Sequence, residues 1–91
     1  MGEGGDVLME ETKAGFPVID LQQTGIRIKQ LRIESGLSVS QLNSYLGGIS
    51  KQSISKWERG KAIPCIDNLL ALSLLYNISI NDMLVYELTK G

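Results

Sequence analysis

Residues 38–61 read SVSQLNSYLGGISKQSISKWERGK, and this stretch decides the fold. Ser38 is followed three positions later by Gln41, the capping-box spacing that opens a helix, and Gly47-Gly48 is a pair that ends one. Ser50 is an N-cap residue for a further helix that ends before Gly60. The stretch therefore predicts two short helices joined by a glycine-containing turn.

The second of these helices, residues 51–59, has an apolar side and a polar side. At about 100° per residue, Ile54 and Trp57 fall on one arc, which must face the core. The opposite arc carries Lys51, Gln52, Ser55, Lys56 and Arg59. Such side chains suit a major groove, because Gln pairs bidentately with adenine, Lys donates to guanine and the remaining cations meet phosphates. A solvated surface is the commoner explanation of an isolated polar face.

The neighbouring helix favours the nucleic-acid interpretation. Val39, Leu42, Tyr45 and Leu46 form an apolar arc, while Ser40 lies on the outward side. Two short helices with a basic second member are a helix-turn-helix motif, placed here at about residues 38–60. In that arrangement the start of the first helix crosses the DNA backbone, so Ser38 and Ser40 are expected beside phosphates.

Outside the motif, cap signals predict three more helices and an all-α class. One begins at Asp20 or Thr24 and runs to Ser35, and another, residues 66–76, is apolar nearly all round and is expected to be the central buried helix. The last, residues 80–88, leaves Val85 and Leu88 unburied, either as a frayed end or as a hypothetical dimer contact. Residues 16–19 are a short extended apolar segment expected to pack as a lid on the core. We predict a flexible acidic tail over residues 1–15 and one compact five-helix domain over residues 16–91.

Composition excludes several classes of protein. The 91 residues include no histidine and one cysteine, which argues against zinc sites, other metal sites and intrachain disulfides. No nucleophile and base pair, phosphate loop or carboxylate dyad can be assembled, so we expect no catalytic residue, no cofactor and no enzyme. Cys65 is expected to be a buried or half-buried thiol. An acidic N-terminus without a long apolar run predicts a cytoplasmic protein that does not enter a membrane.

Charge is distributed unevenly along the chain. The formal net charge is −1, but residues 1–20 carry −4, residues 21–61 carry +5 and residues 62–91 carry −2. The predicted motif therefore lies in a basic unit between acidic flanks, as expected for a domain whose partner is double-stranded DNA.

Several motifs in order resemble the Cro-type, lambda-repressor-like helix-turn-helix family, also called XRE. They are the run IKQLRIESGLS at residues 28–38, Gln41-Leu42, Leu46-Gly47, the run SISKWERGK at residues 53–61, Pro64 and Leu69-Leu70. The resemblance covers about residues 24–85. It implies that Lys51, Gln52, Ser55 and Lys56 read bases, and that Ser50, Arg59 and Lys61 contact the DNA backbone. It also implies an ion pair between Arg32 and Glu58 that positions the recognition helix.

Three positions depart from the family pattern. Val39 stands where the family usually has a phosphate-contacting Gln, and Asn43 stands where it usually has Ala, so an amide must find a partner or face solvent. The turn at residues 47–50 is one residue longer than the common form.

We predict a sequence-specific DNA-binding transcriptional regulator that acts as a homodimer on a palindromic operator. The alternative is a protein-interaction module with the same fold, antitoxin-like or phage-related, that binds a partner such as a toxin, a phage protein or another regulator.

Overall fold

The computed structural model describes residues 15–89, which form five helices and a two-stranded sheet. In chain order the elements are β1 (Phe16–Ile19), α1 (Leu21–Glu34), α2 (Val39–Tyr45), α3 (Lys51–Glu58), α4 (Ile66–Tyr76), α5 (Ile80–Met83) and β2 (Tyr86–Thr89). The predicted helical class with five helices is confirmed, and the sheet is an addition to it. The predicted tail, residues 1–15, lies outside the described residues except for Gly15. Within residues 15–89 no helix is both long and apolar enough to cross a bilayer.

The helices begin where their cap residues predict. Asp20, not Thr24, caps α1 by accepting the Gln23 N–H at 2.9 Å. Ser38 and Gln41 form the full capping box of α2. Each cap satisfies an N–H that a helix start otherwise leaves without a partner.

One apolar core joins all five helices. Its buried members are Ile28, Leu42, Ile54, Trp57, Leu69, Leu72 and Met83. Because α2 contributes Leu42 while α3 contributes Ile54 and Trp57, both helices of the predicted motif are held against the same core.

The end of the chain differs from the prediction. The expected helix over residues 80–88 stops at Met83, and residues Tyr86–Thr89 instead form β2, antiparallel to β1. The apolar segment 16–19 is extended as predicted, but it is not a lid on the core, because all four of its residues are exposed. A run of only four residues gives too little periodicity to separate a strand from the last turn of a helix.

Helix α4 is less buried than its composition predicts. Leu69 and Leu72 enter the core, whereas Ile66, Leu70 and Leu74 are exposed along the opposite side. The Cys65 thiol, predicted to be buried or half-buried, is also exposed. The residue occupies the N-cap position of α4 but its side chain makes no cap hydrogen bond.

Candidate nucleic-acid interface

Helix α3 is oriented by the two side chains that it buries. Ile54 is fully buried and Trp57 is 5% exposed, so this side of the helix cannot turn toward solvent without opening the core. Lys51, Gln52 and Lys56 on the other side are exposed, and Ser55 is half-buried at the edge. The predicted polar face is therefore presented to solvent as a surface.

The cationic side chains around α3 are available to a ligand. Among residues 15–89, no carboxylate lies within ion-pair distance of Lys51, Lys56, Arg59 or Lys61, and all four are exposed. Glu58, the acid of α3, points elsewhere and is paired. This surface therefore carries a local positive charge that an anion can approach.

Arg32 of α1 holds the end of α3 through Glu58, which confirms the predicted ion pair. Arg32 Nε and Nη2 donate to the two carboxylate oxygens of Glu58 at 2.7 and 3.0 Å, and Nη1 donates to Leu37 O at 2.8 Å. The two side chains are 11% and 7% exposed. This bidentate geometry fixes direction as well as distance, so the pair ties α3 to α1.

Burial and the ion pair alter nearby ionisation. The hydrogen bond to Glu58 raises the pKa of Arg32, so the guanidinium stays charged. Burial, helped by the negative charge of Glu58, raises the pKa of Tyr76 to about 12, against an ordinary value of 10.0. The Tyr76 hydroxyl has no hydrogen-bond partner among the described residues. Tyr76 is thus close enough to Arg32 and Glu58 for their charges to influence its ionisation.

Helix α2 presents its start and outer side to solvent. Ser38 and Ser40 are exposed, and the Ser38 Oγ accepts the Gln41 N–H at 3.0 Å, which leaves its own hydroxyl hydrogen free to donate. Asn43, the residue that replaces the usual small side chain, has a buried Nδ2 with no partner within residues 15–89. The expected amide partner is therefore missing from the part of the chain that the structure describes.

The turn between α2 and α3 depends on glycine. Gly47 and Gly48 have φ values of 86° and 84°, in the left-handed region, and Gly48 N–H donates to Asn43 O at 2.9 Å. Ser50 then caps α3, accepting the Ser53 N–H at 3.1 Å and lying 3.0 Å from the Ser53 hydroxyl. Two consecutive left-handed residues give the longer turn a defined path into α3.

Hydrogen bonds of two α1 residues, Thr24 and Arg27, hold the domain together and could not be predicted clearly from the sequence. Thr24 is 1% exposed, and its hydroxyl donates to Val85 O at 3.2 Å and accepts the Val85 N–H at 2.9 Å. Arg27 Nε donates to the Asp82 carbonyl. Both sets of hydrogen bonds link α1 to residues 82–85. The sequence indicated Thr24 only as a candidate N-cap of α1.

Comparison with known proteins gives a family match. The helix-turn-helix family model matches residues 28–83, which is more than half of the chain. The chain is also 34% identical over 61 residues to the HTH-type transcriptional activator BcrR of Enterococcus faecalis, a match that covers 67% of this chain. It spans only 29% of the length of that relative.

Solved structures with similar folds include two regulators above 25% identity. The restriction-modification controller protein C.AhdI of Aeromonas hydrophila superposes with a TM-score of 0.61 at 28% identity, covering 70% of this chain and 96% of that chain. The biofilm regulator SinR, solved in complex with DNA, gives a TM-score of 0.58 at 34% identity, covering 66% of this chain and 95% of that chain.

Proposed function

The chain belongs to the XRE-type helix-turn-helix family of DNA-binding regulators, and from that premise we propose that it regulates transcription by placing α3 in the major groove. The observation that carries the proposal is the two-sided character of α3. Its Ile54 and Trp57 are locked in the core while Lys51, Gln52 and Lys56 stand in solvent. A helix anchored on one side and bare on the other can enter a groove without unfolding the domain.

The base-reading residues of the proposal lie on one exposed face. Eight residues give α3 a length of about 12 Å, enough to follow roughly three or four base pairs along the groove. Gln52 has the donor and acceptor needed for adenine, and lysine ammonium groups donate to guanine O6 and N7. The proposed base-reading set is Lys51, Gln52, Ser55 and Lys56.

Other exposed groups suit phosphate. Arg59 and Lys61 follow the end of α3 and offer charge, whereas the serine hydroxyls at the starts of α2 and α3 offer neutral hydrogen bonds. Contacts of this kind set the register of a protein on the duplex without reading its sequence. The proposed backbone set is Ser38, Ser40, Ser50, Arg59 and Lys61.

We further propose that the protein acts in the cytoplasm as a homodimer on a palindromic operator. One α3 spans too few base pairs to select a site in a genome, so a second copy is needed to double the sequence read. Two copies related by a two-fold axis would place their α3 helices in successive major grooves, about 34 Å apart. Two similar proteins support a DNA-binding regulatory function: BcrR is a transcriptional activator, and SinR was solved in complex with DNA.

Selection of bound sequences from a randomised duplex pool tests the proposal. We expect enrichment of two inverted half-sites whose centres are about one helical turn apart. The variant Trp57→Ala, which removes the core anchor of α3, should enrich nothing, whereas Lys29→Ala, an exposed cation on α1, should enrich the same sites as the wild type. A pool that stays random with the folded wild-type protein would contradict the proposal and favour a protein-interaction module.

A further inference from the structure

The side-chain amide of Asn43 in α2 is buried without a hydrogen bond. Its Nδ2 is closed to solvent and has no partner within residues 15–89. A buried donor that loses water and gains no partner costs free energy, and folded proteins keep few such groups. Alanine would form the helix better and would bury no polar group. Stability alone therefore does not explain an asparagine at this position.

Asn43 lies on the edge of α2 that is turned away from α4. At about 100° per residue, Asn43 and Tyr45 flank the fully buried Leu42 on opposite sides. The Tyr45 hydroxyl donates to Ala71 O at 3.4 Å, so the Tyr45 edge faces α4. The helix that packs most extensively on α2 is α3. The buried amide therefore belongs to the contact between α2 and α3.

The turn from α2 into α3 is tied to the same residue. Gly48 N–H donates to Asn43 O at 2.9 Å, and Gly47 and Gly48 have left-handed φ values of 86° and 84°. A Cβ built on either glycine would meet nothing within 4 Å. Neighbouring atoms therefore do not impose the path of the turn, and the backbone conformation of two glycines sets it.

We propose that Asn43 and Gly48 together form a spacer that sets the position of α3 relative to α2. The axes of packed helices are about 8 to 10 Å apart, and the side chains at the contact decide the value. Asparagine needs more room there than alanine, and one additional residue lets the turn span about 3.3 Å more. The large side chain and the longer turn are each unfavourable alone and fit when they occur together.

The spacer bears on DNA binding because α2 and α3 carry different parts of the proposed interface, and this inference rests on that proposed function. Ser38 and Ser40 at the start of α2 are proposed to contact phosphates, whereas α3 is proposed to read bases. A hydrogen bond that lengthens by about 1 Å is lost, so both sets of contacts form together only at one separation of the helices. Asn43 is thus a positioning residue that touches no DNA itself.

A rival explanation is that the amide is kept for its polarity, for example to hold a water molecule between the helices. Leucine separates the two explanations, because its side chain has the same number and branching of heavy atoms as asparagine but no donor. A spacer depends on size, so leucine should replace Asn43. A polar role depends on the amide, so leucine should then fail as alanine does.

Binding to the duplex selected by the wild-type protein, measured beside urea unfolding, makes this comparison. Asn43→Leu should bind within about threefold of the wild type and unfold at a higher urea concentration, because the buried donor is gone. Asn43→Ala should bind about tenfold more weakly, the equivalent of one lost hydrogen bond to a phosphate. Ser44→Ala, at the exposed neighbouring position, should match the wild type in both measurements. Weak binding by Asn43→Leu, or wild-type binding by Asn43→Ala, would overturn the proposal.

Deletion of Gly48 tests the link between side chain and turn without DNA. The deletion should lower the urea midpoint of the wild type strongly and that of Asn43→Ala much less, because the helices can approach once the side chain is removed. In Ser44→Ala the deletion should cost as much as in the wild type. If the deletion alone prevents folding, a folded Asn43→Ala protein with the same deletion is the expected result. Equal losses in the three backgrounds, or failure to fold in all three, would overturn the proposal.

The two measurements also separate this inference from the proposed function. A wild-type protein that binds no duplex would sink the proposed function, and the coupling of Asn43 with Gly48 in urea unfolding would still support the spacer. A wild-type protein that binds duplex but shows no such coupling would sink the spacer alone.

Discussion

Gly25 of α1 lies directly against Gly60, which is two residues beyond the end of α3. A Cβ placed on Gly25 would stand 2.8 Å from Gly60 N and 2.5 Å from Trp57 O, and one placed on Gly60 would stand 2.7 Å from Gln22 Cα. The two backbones therefore touch where no side chain fits. This contact and the ion pair from Arg32 to Glu58 fix the C-terminal half of α3 on α1 and thereby set the direction of the surface that we propose enters DNA.

Substitution of Gly25 by Ala should lower the free energy of unfolding by about 3 kcal/mol, because the new methyl group meets backbone atoms that cannot rotate away. Chemical denaturation measures the change. Gly36→Ala is the control: Gly36 has a φ of 74° and open space around it, so alanine there costs only backbone strain of about 1 kcal/mol. Equal losses in the two variants would mean that the backbones do not touch.

Removal of one member of the ion pair should be costly, because the other charge is left nearly buried. We expect Glu58→Gln to lower the free energy of unfolding by about 3 kcal/mol and to weaken duplex binding, since α3 loses its tie to Arg32. Glu34→Gln on the exposed side of α1 should change stability by less than about 0.5 kcal/mol. A Glu58→Gln variant as stable as Glu34→Gln would show that the pair contributes nothing.

Stability should decline in alkali through Tyr76. Its pKa is raised to about 12 in the folded protein from 10.0, so the folded state holds the phenol proton more tightly than the unfolded chain does. The contribution of Tyr76 to the free energy of unfolding should therefore be constant below pH 10 and fall between pH 10 and 12, by no more than about 2.7 kcal/mol.

Urea denaturation at pH 9 and pH 11 measures this loss for the wild type and for Tyr76→Phe. The phenylalanine variant should lose less than the wild type, and Tyr86→Phe, in the exposed strand β2, should lose as much as the wild type. The same loss in Tyr76→Phe and the wild type would show that another group causes the alkaline decline.

Salt should weaken duplex binding steeply. If each protomer of a dimer neutralises about three phosphates, the logarithm of the binding constant falls against the logarithm of salt concentration with a slope near −5. Lys61→Ala should weaken binding to all duplexes alike and reduce the slope to about −3.5. Lys29→Ala, which removes an equal charge from α1, should leave the slope unchanged. A flat salt response of the wild-type protein would argue against any phosphate contact.

The two helices of the helix-turn-helix motif could be predicted from residues that are close together in the sequence. The caps at Ser38 and Ser50 and the two sides of α3 depend on residues close together in sequence, so their spacing was sufficient. The sheet of β1 and β2 could not be predicted in this way, because Phe16–Ile19 and Tyr86–Thr89 are 66 residues apart and each is too short to show alternation. An apolar helix likewise cannot reveal which side is buried, so the exposed side of α4 required the structure.

The candidate site shows the same division. The angular positions of residues around α3 were sufficient to predict that Lys51, Gln52 and Lys56 are exposed. Two other features depend on segments that are distant in sequence: the contact of Gly25 with Gly60 and the hydrogen bonds of Thr24 with Val85. The periodicity of a single helix cannot predict such contacts.

The most direct measurement compares the sequences selected from a random duplex pool by wild type and by Gln52→Ala. Because Gln52 is proposed to read a base, the variant should still enrich the site but lose discrimination at one position in each half-site, equivalent to about 1 to 3 kcal/mol, while Lys61→Ala keeps the wild-type preference. The account would be contradicted by two results together. Wild type and Gln52→Ala would select identical DNA sequences, and the triple replacement of Lys51, Gln52 and Lys56 by alanine would also leave the selected sequences unchanged.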